Sequence, residues 1–381
     1  MSRRPLLWLI LPLIVLAGLV AILLLTRPLD ELTSSAPPVE QLSVESTRLT
    51  PGLISLGIRA DGSQPLLIAQ LQVDGAYRQF SMEPSGPIRR LGTARIDIPY
   101  PWVRGEAHHI AIVTSTGVVF EHEIAVAEPT PSYAVPALAM LAVVGLLLGV
   151  APVATGLLAF PALRRLPPKW IRFVLALTVG LLLYLLIDTL SEGLEAAEGA
   201  IDRFRAGTAV WVAALVACAL LLAAGRRDGA APEGLKLSTF MALGIGLHNL
   251  GEGLAVGAAI AAGEAALATF LVVGFTIHNV SEGFGIATPL VEHQPTFTTF
   301  AGLAALAGLP AVIGVWLGAQ AVSPLWTAVA FGIGAGAILQ VIIEMTALIA
   351  RRDGQRALAT PHSMGGIIAG LAVMYLTALL V

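Results

Sequence analysis

His248-Asn249-Leu250-Gly251-Glu252-Gly253 and His278-Asn279-Val280-Ser281-Glu282-Gly283 repeat one pattern thirty residues apart, each inside an otherwise apolar run. A charged side chain at mid-bilayer costs roughly 2.5–3.5 kcal/mol even on insertion-based scales. The chain accepts that cost at two glutamates, each with a His and an Asn beside it. A plain membrane anchor has no use for such residues. A divalent metal ion is the obvious partner to compensate them.

The composition places the surrounding runs in lipid. Of 381 residues, 56% are hydrophobic and 12% charged, where a soluble domain carries about 25% charged residues. Mean hydropathy is +0.82. The net charge of −3 points neither to nucleic acid nor to a polybasic lipid-binding surface. The single cysteine, Cys218, excludes an intramolecular disulfide and a thiolate metal cluster, and reads as a small buried hydrophobe.

Outward from the motifs, eight apolar segments lie near 134–160, 172–191, 207–224, 237–261, 265–290, 298–319, 324–349 and 363–381. Their Gly and Ala content suits closely packed membrane helices. At the other end, Leu6 to Thr26 follows Arg3 and Arg4. That run is long enough to span a bilayer and exceeds a signal peptide's apolar core, so residues 1–27 read as a signal-anchor helix. Residues 28–50 read as a polar, Pro-rich linker. Residues 51–130 alternate apolar and polar over Leu53–Arg59, Leu66–Val73, Ala76–Met82, Thr93–Ile98, His108–Thr114 and Val118–Val126. Turn signals stand at Asp74-Gly75 and Ser115-Thr116-Gly117. These features predict a small immunoglobulin-like β-sandwich, followed by a transmembrane domain over 131–381.

Charge sets the expected orientation. With the anchor starting inside, twelve Lys and Arg, from Arg3 and Arg4 to Arg351, Arg352 and Arg356, fall on inner segments. The outer loops of the eight-helix core hold Arg203 and Arg205. This positive-inside bias puts the N-terminus in the cytoplasm, and the β-domain and C-terminus outside a plasma membrane.

Residues i and i+4 stack on one helix face, about 6 Å apart along the axis. His248 and Glu252 therefore share a face of the fourth core helix, and His278 and Glu282 share one of the fifth. The short connection Ala262-Gly263-Glu264 makes the two helices antiparallel neighbours, so the four side chains can form an N2O2 site. Two carboxylates balance one divalent charge, and imidazole with carboxylate suits Zn²⁺, Fe²⁺ and related ions better than Mg²⁺ or Ca²⁺. Asn249 and Asn279, about 100° around each helix, can hold a second ion or orient the Glu ligands. Thr288-Pro289 predicts a kink beyond the second motif.

The eight apolar segments and paired H-N-x-x-E-G motifs resemble the ZIP (Zrt/Irt-like) family of divalent-metal transporters. The resemblance covers about Ala134 to Val381 and leaves out the anchor and the β-domain. It implies that His248, Asn249, Glu252, His278, Asn279 and Glu282 line a transport site. It also implies metal movement toward the cytosol, one helix bundle sliding against a more static one, and a homodimer. The chain departs from the family at His278, where many members have Gln, and at Gly251 and Ser281, where Pro is common. In Gly308-Leu309-Pro310, Leu309 replaces a Glu that several members use for a second metal. The loop over 225–236 lacks the family's common His-rich run.

Asp188 and Glu192 resemble the family's polar outer entrance. Glu344, inside the seventh segment, is a candidate pathway or auxiliary ligand. On the 108–123 hairpin, a turn centred on Thr116 sets His109 opposite Glu123, an arrangement that suits cross-strand polar pairing or metal capture. The expectation is therefore a multi-pass, non-enzymatic transporter in the lipid bilayer. It takes a divalent ion, zinc first and iron, manganese or cadmium after it, as substrate, and it has no prosthetic group and no nucleic-acid partner. The alternatives are a metal-sensing receptor with the β-domain as its outer part, and a membrane metallohydrolase. The latter lacks a separate general base.

Overall fold

The computed structural model describes residues 14–19, 21–22, 25, 39–130, 135–200, 205–227, 229–261, 265–320 and 323–379. The expected anchor over 1–27 and the linker up to residue 38 lie largely outside these. Within the anchor, residues 14–19, 21–22 and 25 are helical.

Eight strands form two antiparallel sheets. They are β1 Leu42–Thr50, β2 Leu53–Ala60, β3 Ile68–Val73, β4 Ala76–Tyr77, β5 Ser81–Glu83, β6 Thr93–Pro99, β7 His108–Thr114 and β8 Val119–Ile124. The sheet orders are β1-β2-β6-β5 and β4-β3-β7-β8, the order of immunoglobulin-type sandwiches. Alternation drives it. On β2, Ile54, Leu56, Ile58 and Ala60 are fully buried, while Ser55 and Arg59 turn out to meet Asp97 and Glu45. Ile96, Ile98, Ile110 and Ile112 fill the same core.

Two expectations need correction. The segment read as linker ends in a strand, β1, because Leu42-Ser43-Val44-Glu45-Ser46-Thr47-Arg48-Leu49-Thr50 carries too few large apolar residues to stand out from its polar flank. The single strand expected over 76–82 breaks in two, and β4 and β5 join different sheets.

The Asp74-Gly75 turn forms as expected, with φ of 54° and 75°, the positive pair that a two-residue hairpin turn demands. Asp74 then serves as a hub. Its carboxylate accepts from the His109 backbone N–H and the Tyr100 hydroxyl, and lies 2.8 Å from His108 Nδ1. Burial alone would raise its pKa, but these partners outweigh burial and hold the carboxyl below its ordinary value. A depressed folded pKa gives stability that is present above the unfolded value, about 3.9, and lost as pH falls through the lower folded one. Asp74→Ala is expected to cost about 1–2 kcal/mol at neutral pH. It should raise hydrogen exchange of the β7 amides there and leave exchange little changed in strong acid.

Among the described residues, eight long helices follow the sandwich: α1 Val135–Leu163, α2 Pro168–Glu198, α3 Ala206–Gly225, α4 Gly234–Ala261, α5 Ala265–Ala287, α6 Phe297–Gly318, α7 Pro324–Asp353 and α8 Pro361–Ala378. Seven candidate spans among the described residues, one in each of α1 to α7, are long and apolar enough to cross a membrane. The 18-residue α8 opens on polar Pro361-His362-Ser363 and is not among them. Inside α1, Leu146–Val150 forms a π-helical turn, which frees backbone carbonyls from the regular ladder. Pro289 does not kink α5. The helix gives way to a 3₁₀ turn over Thr288–Leu290, which tolerates the missing N–H at its start.

Packing divides the helices into two groups. α4 lies along α6 and α5, and α1 along α5 and α6; α2 lies along α8 and α7, and α3 along α7. Glycines show how tight each contact is. Within a group, a Cβ on Gly253 or Gly314 would sit 2.3 or 2.2 Å from a carbonyl oxygen of the facing helix, and on Gly156, Gly336 or Gly370 2.0, 2.1 or 2.2 Å. These helices touch backbone to backbone. The main contact between groups, α4 against α7, is looser. There, a Cβ on Gly244 would sit 2.7 Å from the Val341 side chain and 3.2 Å from Ala337 O, one on Gly251 3.0 Å from the Phe331 ring, and one on Gly334 3.2 Å from the His248 Cα.

Candidate metal centre

The two motifs lie on facing stretches of α4 and α5. Their side chains are withdrawn from solvent: His248, Asn249, Glu252, His278, Asn279 and Glu282 are each at most 7% exposed. The i, i+4 spacing brings His248 Nε2 to 3.1 Å from Glu252 Oε1. From α5, His278 Nε2 reaches the same oxygen at 2.5 Å. The ligand atoms of His248, Glu252 and His278 all lie within 4.8 Å of one another. Metal bonds of about 2.0–2.1 Å in tetrahedral array set neighbouring ligand atoms about 3.3 Å apart. The 2.5 Å His278–Glu252 contact is therefore one that must open for the three atoms to share an ion.

Neighbouring groups hold the triad in place. Asn279 Nδ2 donates to Glu252 Oε2 at 2.9 Å and to Leu148 O, in the π turn of α1, at 3.0 Å. Of the two roles open to Asn279, the geometry provides the orienting one. Asn249 Nδ2 donates to Ala307 O at 3.0 Å, which ties α4 to α6. His248 Nδ1 lies 3.1 Å from Thr189 Oγ1, on α2 of the other group. A hydrogen on Nδ1 donated to Thr189 leaves Nε2 free as a metal ligand. Thr189→Val is expected to weaken metal affinity by roughly 10-fold, a change that calorimetric titration of the purified protein would read.

Glu282 is not drawn into the triad. It is 2% exposed, and neither carboxylate oxygen has a hydrogen-bond partner. The amide oxygens Asn249 Oδ1 and Asn279 Oδ1 are likewise buried and unpartnered. Buried acceptors without donors are costly, and a cation is one way to satisfy them. Leu309 does more than lack a ligand atom: its side chain is 47% exposed, on the outer surface of α6.

Asp188 and Glu192 line a cavity of about 210 Å³ together with Tyr184, Phe275, His278 and Thr377. His278 thus faces this acidic cavity and the triad at once. Toward the opposite end of the bundle, Leu237, Met241, Ile245, Ile286, Ile338 and Val341 belong to a continuous apolar core. Glu344 does not join the triad. It is fully buried on α7, and its Oε1 accepts from Arg226 Nε at 2.8 Å.

In the sandwich, His109 stands opposite Glu123 as the register required. His108 turns instead to Asp74, and His122 Nε2 lies 2.8 Å from Thr47 Oγ1. Among the described residues, the triad is the group of His and carboxylate side chains close enough to hold an ion. Compared with known proteins, the chain matches no family model and no curated sequence.

Proposed function

We propose that this protein carries divalent transition-metal ions, zinc first, across a plasma membrane toward the cytosol. The observation that carries the reading is the buried convergence of His248, Glu252 and His278 inside an apolar helical bundle. Two imidazoles and a carboxylate form a donor set for Zn²⁺ or Fe²⁺ rather than for Mg²⁺ or Ca²⁺. Glu282 supplies the second negative charge, and Asn249 and Asn279 complete the polar lining. The resemblance of both motifs to those of the ZIP family agrees with this set, as does an arrangement in which α8 makes an eighth crossing.

The mechanism is alternating access. Close backbone contacts of α4 with α6 and of α1 with α5 and α6 link the helices that carry the motif residues, whereas at its glycines the backbones of α4 and α7 come no nearer than 3.2 Å to an added Cβ. A group that is rigid inside and loosely seated outside can shift as a unit. Metal enters past Asp188 and Glu192, exchanges its water for His278, Glu252 and His248, and leaves at the Arg-rich end once the apolar core there parts. Loss of Thr189 from His248 would accompany that shift. The positive-inside distribution supports an orientation with the β-sandwich outside and the chain's N-terminus inside.

A metal-sensing receptor is the second reading, and the β-sandwich favours it. Liposomes loaded with a metal-sensitive dye separate the two. Saturable uptake of Zn²⁺, Fe²⁺, Mn²⁺ or Cd²⁺ into vesicles that hold the protein supports transport. Metal bound tightly with no uptake under any gradient moves the assignment to a sensor.

A further inference from the structure

Among the described residues, the β-sandwich gives no side chain to the triad, yet its placement on the bundle is selective. Thr130 closes the sandwich: its N–H donates to Leu49 O, and its hydroxyl accepts from the Leu49 N–H, both at 2.9 Å. Helix α1 begins at Val135, and the step between these residues cannot exceed roughly 18 Å. The domain is therefore tethered closely to a helix of the motif-bearing group.

The clefts beneath it have the same bias. One, of about 340 Å³, lies between the β1 and β8 edges and the ends of α4 and α6, with Val44, Thr47 and His122 on one wall and Ala258, Ala261 and Gly318 on the other. A second, of about 770 Å³, runs along the outer face of the β1-β2-β6-β5 sheet and ends at Gln320, just past α6. Among the described residues, neither cleft is lined by α2, α3, α7 or α8.

We propose that the β-sandwich rides on the site-bearing group α1-α4-α5-α6, so that the position of the domain and the access state of the metal site are one coordinate. This rests on the transport reading above and assigns the domain a role within it. A body fixed to the moving group travels with it. Any outside contact that fixes the domain relative to α2, α3, α7 and α8 then biases the site toward one side of the membrane. The short tether is essential to this, because a long flexible link would let the helices shift beneath a stationary domain.

Spin-label distances on the full-length protein in lipid test the proposal. Cys218→Ala removes the single native thiol. Labels are placed, two at a time, at Gln79→Cys on the sandwich, Leu317→Cys at the end of α6, and Glu198→Cys at the end of α2. All three positions are exposed. Distances are compared between Zn²⁺-saturated and chelator-treated protein. The proposal requires the Gln79–Leu317 distance to stay fixed while Gln79–Glu198 and Leu317–Glu198 shift together. A Leu317–Glu198 shift with Gln79–Glu198 unchanged would place the domain on the other group and overturn the proposal. So would a shift in all three, which would make the domain independent. If Leu317–Glu198 does not change under either condition, the moving-group mechanism fails, and this proposal with it.

Discussion

Glu252→Ala is expected to lower Zn²⁺ affinity by on the order of 100-fold or more and to abolish metal uptake into liposomes. Glu252 is the point on which the centre converges: one oxygen meets both His248 and His278, and the other accepts from Asn279. Truncation removes a ligand and half of the carboxylate charge that balances a divalent ion. It also leaves two buried imidazoles without their acceptor. Glu252→Gln keeps the shape and much of the hydrogen bonding but not the charge. It should fold like the parent protein yet bind metal almost as poorly as the alanine variant. Calorimetric titration beside a thermal unfolding scan separates the two effects. Full affinity in Glu252→Gln would mean that the carboxylate charge contributes nothing to the site.

The second large effect lies in packing. Gly314→Leu is expected to destabilise the protein by about 3 kcal/mol or more, at or beyond the usual range for an overpacked core. A Cβ there would stand 2.2 Å from Leu250 O and 2.9 Å from Gly253 Cα. The clash is with backbone, which no side-chain rotation relieves. α4 would have to separate from α6, carrying His248 and Glu252 with it and stretching the Asn249–Ala307 hydrogen bond. Gly302→Ala, in the same helix with open space around its Cβ position, is the matched control and should be neutral or slightly stabilising. Gly251→Ala should be milder than Gly314→Leu, because the Phe331 ring can turn aside. Detergent-resistant thermal unfolding of the three variants, measured in one series, checks the order.

These outcomes also indicate which parts of the molecule could be read from its sequence. The His–Glu pairing was legible because i and i+4 lie on one face of any α-helix, and because a buried carboxylate in an apolar run needs a partner. The anchors of the asparagines were not, although orienting a Glu was one of the two roles offered for Asn279. Asn279 is positioned by Leu148 O and Asn249 by Ala307 O, and a backbone carbonyl has no signature of its own. Thr189 reaches His248 from 59 residues away in sequence, and a lone Thr in an apolar helix gives no sign of its partner. The pairing of Glu344 with Arg226 was hidden for the same reason. Helical spacing fixes a face but not the rotation of one helix against the next, so it did not tell that His248, Glu252 and His278 would draw closest while both Glu282 oxygens stay without a hydrogen-bond partner. In the sandwich, alternation located β2, β3, β6 and β7 within a residue or two. β1 escaped because its half-buried position at the sheet edge lets it be nearly as polar as a linker.

X-ray absorption at the zinc edge of the loaded protein tests the central claim most directly. The expected spectrum has nitrogen and oxygen ligands, the multiple-scattering pattern of two imidazoles and no sulfur, with one imidazole lost in His278→Ala and one in His248→Ala. A sulfur shell, or an imidazole count unchanged in both variants, would place the metal elsewhere and contradict the account.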